Sequence, residues 1–349
     1  MLATVLYGTR DVRVEDVPEP VMRVPTDAVV RVLASCICGS DLWRYRGVLP
    51  SDGPARIGHE FVGVVEETGT AVHSVGPGDF VIASFGISDG TCFHCRNGVP
   101  TSCIKGAWWG GRDSDGFDLD AGQGERVRVP LADGTLLALP DHPDESLIPD
   151  LLALCDVLPT GYHAAVSAGV SPGSSAVIVG DGAVGLCATL AAVYLGAERV
   201  VVMSRYPQRQ KLAVSFGATD IVAERGAVGI ERVKDLLGGV GADAVLECVG
   251  TPKALQQAVG AVRPGGRLGH VGVPVEDRSL PMWPLFLNNI AVSGGLAPAL
   301  QYMPLLLDAV LGGSMQPGRV FDLALPLRQA HEGYAAMNSR QAIKTLLWS

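Results

Sequence analysis

A short apolar run, 176–179, leads straight into Gly180-Asp181-Gly182-Ala183-Val184-Gly185. A small-residue stretch with helical spacing follows to about residue 195, and a second β-branched run extends from Arg199 to Met203. Strand, glycine turn, helix and strand in this order admit few folds, because each glycine has its own geometric duty. Gly180 makes the tight turn, Gly182 lets backbone approach a pyrophosphate, and Gly185 lets helix and strand pack closely. Ala183 and Val184 open a helix whose first N–H groups are unpaired and face anionic oxygens. The stretch reads as a dinucleotide site. An ordinary glycine-rich β–α turn would explain the glycines but would leave the chemistry elsewhere in the chain without a purpose.

The alternation continues from 174 to about 274, with strands expected at 176–179, 199–203, 220–223, 243–246 and 267–271. Helices are expected near 183–195, 207–216, 229–237 and 253–262. The strands are short continuous apolar runs, the pattern of strands covered on both faces, so the α/β region is a doubly wound parallel sheet. Residues 1 to about 135 differ. Strand-like runs at 27–34, 63–67, 79–83, 126–129 and 136–139 are punctuated by Pro18, Pro20, Pro25, Pro50, Pro54 and Pro77, which exclude long helices. This region is all-β or barrel-like. A helical stretch at 151–168, interrupted by Pro159 and Gly161, leads into the alternation. After Gly294 come a helix at 299–312, a strand at 319–325, a helix at 329–337 and a strand at 342–347, a coda too short for a core of its own and expected to rejoin the first domain. The 349 residues thus divide at 1–150, 151–290 and 291–349.

A net charge of −9 without any Lys/Arg cluster excludes a nucleic-acid surface. No apolar run is long enough to cross a bilayer, and the N-terminus lacks the basic start and apolar core of a signal peptide, so a soluble, cytoplasmic protein is expected. Three of the eight cysteines crowd into 92–103, a distribution that favours metal or redox chemistry over a disulfide framework.

Two constellations carry chemistry. Cys38, His59 and Asp156 offer a thiolate, an imidazole and a carboxylate, the makings of a three-ligand zinc site with an open position. Asp41 is placed to accept from the imidazole, and Ser40 puts a hydroxyl two residues from the thiolate. Each residue taken alone is equally explained by packing or helix capping. The second constellation is Cys92-x2-Cys95 with Cys103, half of a closed structural zinc site that needs a fourth ligand. Asp89 continues the spacing, whereas His94 is poorly placed to fold back on the same ion; the alternative is a loop that has lost its metal.

On Cys38-Gly39-Ser40-Asp41, Gly58-His59-Glu60-Phe61-Val62-Gly63, the cysteine lobe, the glycine turn and Gly217-Ala218-Thr219-Asp220, the chain resembles the zinc-dependent medium-chain alcohol dehydrogenase family over nearly its whole length. The resemblance implies a GroES-like mostly-β catalytic domain, interrupted by an α/β Rossmann domain and completed by the C-terminal segment. It implies a catalytic zinc on Cys38, His59 and Asp156, the last in the segment running to Thr160 and Tyr162, with Glu60 close by and sometimes a ligand. Cys155 is one position out and is left to packing. In the lobe, Asp89 stands where the first of four cysteines usually does, and Cys92, Cys95 and Cys103 keep the other places. Thr160 falls to the cofactor. Trp43 replaces the histidine that often ends the proton relay, so Ser40 passes its proton to ribose and water or the relay takes another path. Trp43, Phe85 and Trp108 (or Trp109) are candidates for the substrate pocket.

The family position for the acid that selects unphosphorylated cofactor holds Ser204, followed by Arg205, and no Asp or Glu occurs from Arg199 until Asp220. Serine plus arginine suits a 2′-phosphate, with Arg209 and Lys211 adding field or merely solvated, so NADP is expected ahead of NAD. The function implied is hydride transfer between an alcohol, or its aldehyde or ketone, and that cofactor, in a homodimer or homotetramer. Two rivals stand beside it: a zinc-free quinone or enone reductase on the same scaffold, and a cofactor-binding regulatory protein without catalysis.

Overall fold

The computed structural model describes residues 1–50, 53–276 and 279–349. They form two compact units, Met1–Asp156 with Pro298–Ser349, and Val157–Ala297. The breaks fall after Asp156 and Ala297 rather than after 150 and 290. The reason lies in the 151–168 stretch, which is two helices and not one interrupted helix. Ile148–Ala153 belongs to the first unit, where the Asp150 carboxylate accepts from the Gly318 N–H at 2.6 Å. Val157–Ser167 belongs to the second. Pro159 and Gly161 lie inside that second helix and do not break it. Proline in the first helical turn forfeits no intrahelical bond. Gly161 is needed because a Cβ there would sit 2.5 Å from the Ala188 nitrogen.

The first unit is built on the strand Ala28–Cys36, which pairs antiparallel with Phe61–Thr68, with Arg126–Val129 and with Lys344–Trp348. Phe61–Thr68 passes the ladder to Phe80–Ala83, and that strand to Leu136–Ala138. Ala28, Val30, Val32, Phe61, Val81 and Val127 turn inward and are almost wholly buried. The last strand thus rejoins the first unit, as its lack of an independent core required. A charged triad is sunk beside this core. Arg128 donates to Asp27 at 2.7 Å and to Asp113 at 2.7 Å, with all three side chains nearly inaccessible.

The second unit is a six-stranded parallel sheet among the described residues. Its order across the sheet is Asp220–Val222, Arg199–Met203, Ser175–Val179, Ala242–Glu247, Val262–His270 and Ala291–Gly294. Numbered along the chain this is 3-2-1-4-5-6, the doubly wound arrangement whose ligand crevice opens where the order reverses, between Ser175–Val179 and Ala242–Glu247. The edge strand Ala291–Gly294 was not expected from the sequence; it is short and ends in glycine, so it carries little apolar signal. No helix among the described residues is long and apolar enough to cross a membrane.

Replacing Arg128 with leucine leaves two buried carboxylates without their cation, held only by backbone N–H groups. Chemical denaturation of Arg128→Leu is expected to show a loss of about 3–5 kcal/mol; a loss under about 1 kcal/mol would mean that the triad is solvated on removal of the arginine.

Candidate active site

Cys38 follows the end of Ala28–Cys36, and the Asp41 carboxylate accepts from the Cys38 N–H at 3.0 Å, turning the chain into the short helix Asp41–Tyr45. Ser40 stands at the N-terminal boundary of that helix without a side-chain capping bond, and its N–H points at Cys38 Sγ, 3.5 Å away. His59 and Glu60 enter just before Phe61–Thr68. Gly58 makes this possible: its φ is +105°, and a Cβ would meet Gln123 Cγ at 2.5 Å. Asp156 sits in the break between the two helices. The backbone around it is tied down, since the Cys155 carbonyl accepts from the Phe85 N–H at 3.2 Å and the Cys155 thiol donates to the Phe61 carbonyl at 3.2 Å. Cys155 is a packing residue.

These segments bring Cys38, His59, Glu60 and Asp156 together with one donor atom from each within 4.8 Å of the others. Cys38 Sγ lies 3.7 Å from Asp156 Oδ2, and His59 Nε2 lies 3.4 Å from the same oxygen. A tetrahedron with bonds of about 2.0–2.3 Å has edges of about 3.3–3.8 Å, so the separations suit a zinc ion. His59 Nδ1 faces Asp41 Oδ1 at 3.5 Å, which leaves Nε2 for the cluster.

Charge says the same. Burial, and then the charge of Glu60, push the Cys38 thiol up. Burial alone would lower His59, but Asp41, Cys38 and Asp156 outweigh it and hold the imidazole well above its usual range. One oxygen of Glu60, Oε2, is buried with no hydrogen-bond partner among the described residues. A buried, acid-rich cluster with an orphaned carboxylate oxygen fits a divalent cation.

Three neighbours were not anticipated. Lys344, 1% exposed, donates to Glu60 Oε1 at 2.7 Å and to the Ile37 carbonyl at 3.3 Å. Gln123 donates to the Cys36 carbonyl at 3.1 Å and faces Asp41 Oδ2 at 3.4 Å, while accepting from the Tyr334 hydroxyl at 3.0 Å. The signal for Lys344 was a lone lysine opening the apolar run Lys344–Trp348; Gln123 and Tyr334 had none.

Of the pocket candidates, Phe85 is buried and stacks on Trp108, centroids 6.2 Å apart and planes at 18°, while Trp108 stays half exposed. Trp109 belongs to the core, edge-on to Phe61 and donating to the Ser84 carbonyl. Trp43 is half buried on Asp41–Tyr45 under the Arg46 guanidinium.

The lobe gathers Asp89, Cys92, Cys95 and Cys103 in the same manner. The Cys92 sulfur is 3.5 Å from that of Cys95 and 3.9 Å from that of Cys103. Burial would raise Asp89, but the N–H groups of Cys92 and Thr91 and the neighbouring thiols hold it at about 2. His94 is exposed, packs edge-on against Phe93 and is not one of the four clustered residues.

In the second unit the glycine turn has the shape a pyrophosphate requires. A Cβ on Gly182 would meet nothing within 4 Å, whereas one on Gly185 would lie 2.1 Å from the Gly180 carbonyl oxygen. The helix Ala183–Tyr194 begins without a side-chain cap, so its first N–H groups face that open space. Thr160 is half buried on Val157–Ser167. The ribose end corrects the sequence reading. Ser204 is fully buried and its hydroxyl donates to Asp181 Oδ2 at 2.8 Å, so it is not an open donor for a phosphate. Arg205 is exposed, its guanidinium over Tyr206.

A GroES-like barrel carrying a Cys/His/Asp cluster, joined to a dinucleotide fold, defines a zinc-binding dehydrogenase. Residues 24–141 match the alcohol dehydrogenase GroES-like domain and residues 183–311 the zinc-binding dehydrogenase domain. Zinc-type alcohol dehydrogenase B of Aspergillus flavus is 34% identical over 99% of this chain and 81% of its own length. A probable zinc-binding alcohol dehydrogenase of Mycobacterium tuberculosis is 35% identical over 97% of this chain and 86% of its own. The solved alcohol dehydrogenase TADH from Thermus sp. ATN1 is similar at a TM-score of 0.91 and 35% identity, covering 100% of this chain and 99% of that one. The chain belongs to the zinc-dependent medium-chain alcohol dehydrogenase family, and its cofactors are zinc and a nicotinamide dinucleotide.

Elemental analysis of dialysed protein is expected to find one zinc for each cluster. Asp89→Ala should lose the lobe's ion and lower the thermal midpoint while keeping the other; a wild-type protein with a single zinc would remove the lobe from the metal sites.

Proposed function

We propose that the protein moves a hydride between an alcohol carbon and a nicotinamide cofactor, NADP ahead of NAD, with zinc held by Cys38, His59 and Asp156. The observation that carries this reading is the buried meeting of thiol, imidazole and carboxylate at tetrahedral spacing. When bound, zinc supplies Lewis acidity toward an alcohol or carbonyl oxygen, and the nicotinamide supplies the hydride acceptor or donor. Asp41 fixes the tautomer of His59. The Ser40 hydroxyl would carry the substrate proton toward solvent, with tryptophan rather than histidine at position 43. Burial pushes the Glu60 carboxyl up, and the Lys344 ammonium beside it opposes that push. Phe85 and Trp108 form an apolar wall that keeps water from the reacting carbon and suits apolar or aromatic alcohols. A zinc-free reductase or a regulatory protein has no use for such a cluster.

The cofactor preference rests on arginines at the end of Arg199–Met203. Arg205 follows the strand, Arg209 reaches Asp181, and Arg225 donates to the Met203 carbonyl at 2.9 Å. A 2′-phosphate carries about −1.5 to −2 charge near neutrality and pairs with guanidinium. We also propose a structural zinc in the lobe, on Asp89, Cys92, Cys95 and Cys103, pinning a segment too polar to hold itself. A cytoplasmic home suits eight cysteines that are all free thiols.

The assembly proposed is a homodimer, or a homotetramer built on it. Leu280, Met282, Trp283, Phe286, Leu287 and Leu296 are exposed beside the edge strand Ala291–Gly294. An unpaired strand edge flanked by apolar side chains is stably covered by its own copy across a two-fold axis.

Steady-state kcat/KM for a panel of alcohols and aldehydes with each cofactor is the test. Activity should vanish in Cys38→Ala, and Arg205→Ala should lower NADP use by about ten- to hundredfold while sparing NAD. Activity retained in Cys38→Ala ends the zinc mechanism, and a wild-type preference for NAD ends the NADP reading. Separately, light scattering should give a multiple of the chain mass for wild type and a smaller one for the Trp283→Glu, Phe286→Glu double variant; a monomeric wild type overturns the interface.

A further inference from the structure

The glycine turn carries an acid that the phosphate-binding duty does not need. Asp181 is only 8% exposed, and its side chain leaves the turn for the next strand. There Oδ2 accepts from the buried Ser204 hydroxyl at 2.8 Å, while Oδ1 lies 3.4 Å from Arg209 Nη1. The same guanidinium nitrogen approaches the Asp181 carbonyl at 3.3 Å, so Arg209 grips the residue at both ends. We propose that Asp181 is the carboxylate that recognises the unphosphorylated adenosine ribose, supplied from the glycine turn instead of from the end of the second strand, and that it limits the preference for a 2′-phosphate.

The chemistry follows from what each ribose offers. An unphosphorylated ribose presents two hydroxyl donors, and a carboxylate beside the end of the second strand accepts them. A carboxylate has room for about four hydrogen bonds, of which Ser204 and Arg209 take part. A 2′-phosphate replaces one donor with anionic oxygens, and a fixed carboxylate repels them. Among the described residues, no other acid of this neighbourhood fills the place. Asp220 is turned to Arg199 at 2.8 Å and to the Thr219 hydroxyl at 2.7 Å, at the opposite end of the strand from Ser204. Glu224 is exposed, in the segment after Asp220–Val222. The ribose end therefore holds one acid among three arginines, Arg205, Arg209 and Arg225. Arg209 is the shared element: paired with Asp181 it leaves a hydroxyl-accepting site, and drawn to a phosphate it relieves the repulsion. The result is an enzyme that accepts both cofactors and discriminates modestly.

This deepens the cofactor reading and rests on a nicotinamide dinucleotide lying along the glycine turn. A purely structural pin between turn and strand would use the same bonds, so the test must separate affinity ratio from stability. Titration calorimetry of the zinc-loaded protein with ADP-ribose and with 2′-phospho-ADP-ribose measures the ribose end alone, without turnover. Asp181→Asn keeps an acceptor for Ser204 and removes the charge. It should shift the ratio of dissociation constants toward the phosphorylated ligand by about ten- to hundredfold. Arg209→Gln should shift it the other way, and it carries the test if Asp181→Asn does not fold. A ratio within about twofold of wild type in the folded variants, or equal weakening of both ligands, overturns the proposal. The wild-type ratio decides the NADP preference independently: a protein that favours ADP-ribose but shifts as stated in Asp181→Asn loses that preference and keeps this proposal.

Discussion

Burying a thiol and three carboxylates in one neighbourhood is the constraint on which the first unit depends. Cys38, Asp41, Glu60 and Asp156 crowd a space where charge is poorly solvated, and each needs an answer within hydrogen-bond reach. His59 and Lys344 are the answers the chain supplies. Both are driven toward their charged forms against burial by the anions around them. What they leave over is the part a divalent cation takes up. The surrounding polar residues are correspondingly fixed: Gln123 bridges the Cys36 carbonyl, Asp41 and Tyr334, and Gly58 exists so that Gln123 can come that close.

The second unit repeats the device on a smaller scale. Glu247, wholly buried at the end of Ala242–Glu247, accepts from the N–H groups of Val249 and Gly250 and faces His270 at 2.8 Å. Asp181 is answered by Ser204 and Arg209. Both acids stand at the carboxyl ends of strands, the rim where a doubly wound sheet receives its ligand. Polar side chains at that rim are costly to the fold unless paired, and pairing is also what gives them direction.

The sequence disclosed whatever is local. Strand and helix periods set the two architectures, and the glycine turn could be placed to the residue, because each of its geometric demands falls on a fixed offset. The metal candidates were legible as residue types, yet their meeting depends on a sheet register that no spacing encodes. Pro159 misled because its effect depends on its place in the helix, and the first turn is where it costs nothing. Ser204 misled for a related reason. Its neighbours along the chain contain no acid, but its neighbour in space is one, twenty-three residues earlier at the end of the adjoining strand. Lys344 lies still farther off, 284 residues from Glu60, and only the returning strand joins them.

That returning strand bears on how such a chain is born. The Val157–Ala297 unit is continuous in sequence, and every pairing within its sheet is closed once residue 294 has been made. The first unit is not continuous: Ile37 waits for Lys344, a span of 307 residues. At translation rates of about 5–20 residues per second, the strand Ala28–Cys36 keeps an open flank for tens of seconds while the inserted unit is synthesised and folds. Through that interval Glu60 has no lysine. A barrel that formed in that interval would be half-neutralised and edge-exposed, and chaperone cover or early capture of a metal ion would matter most then, before the polypeptide has reached its final strand.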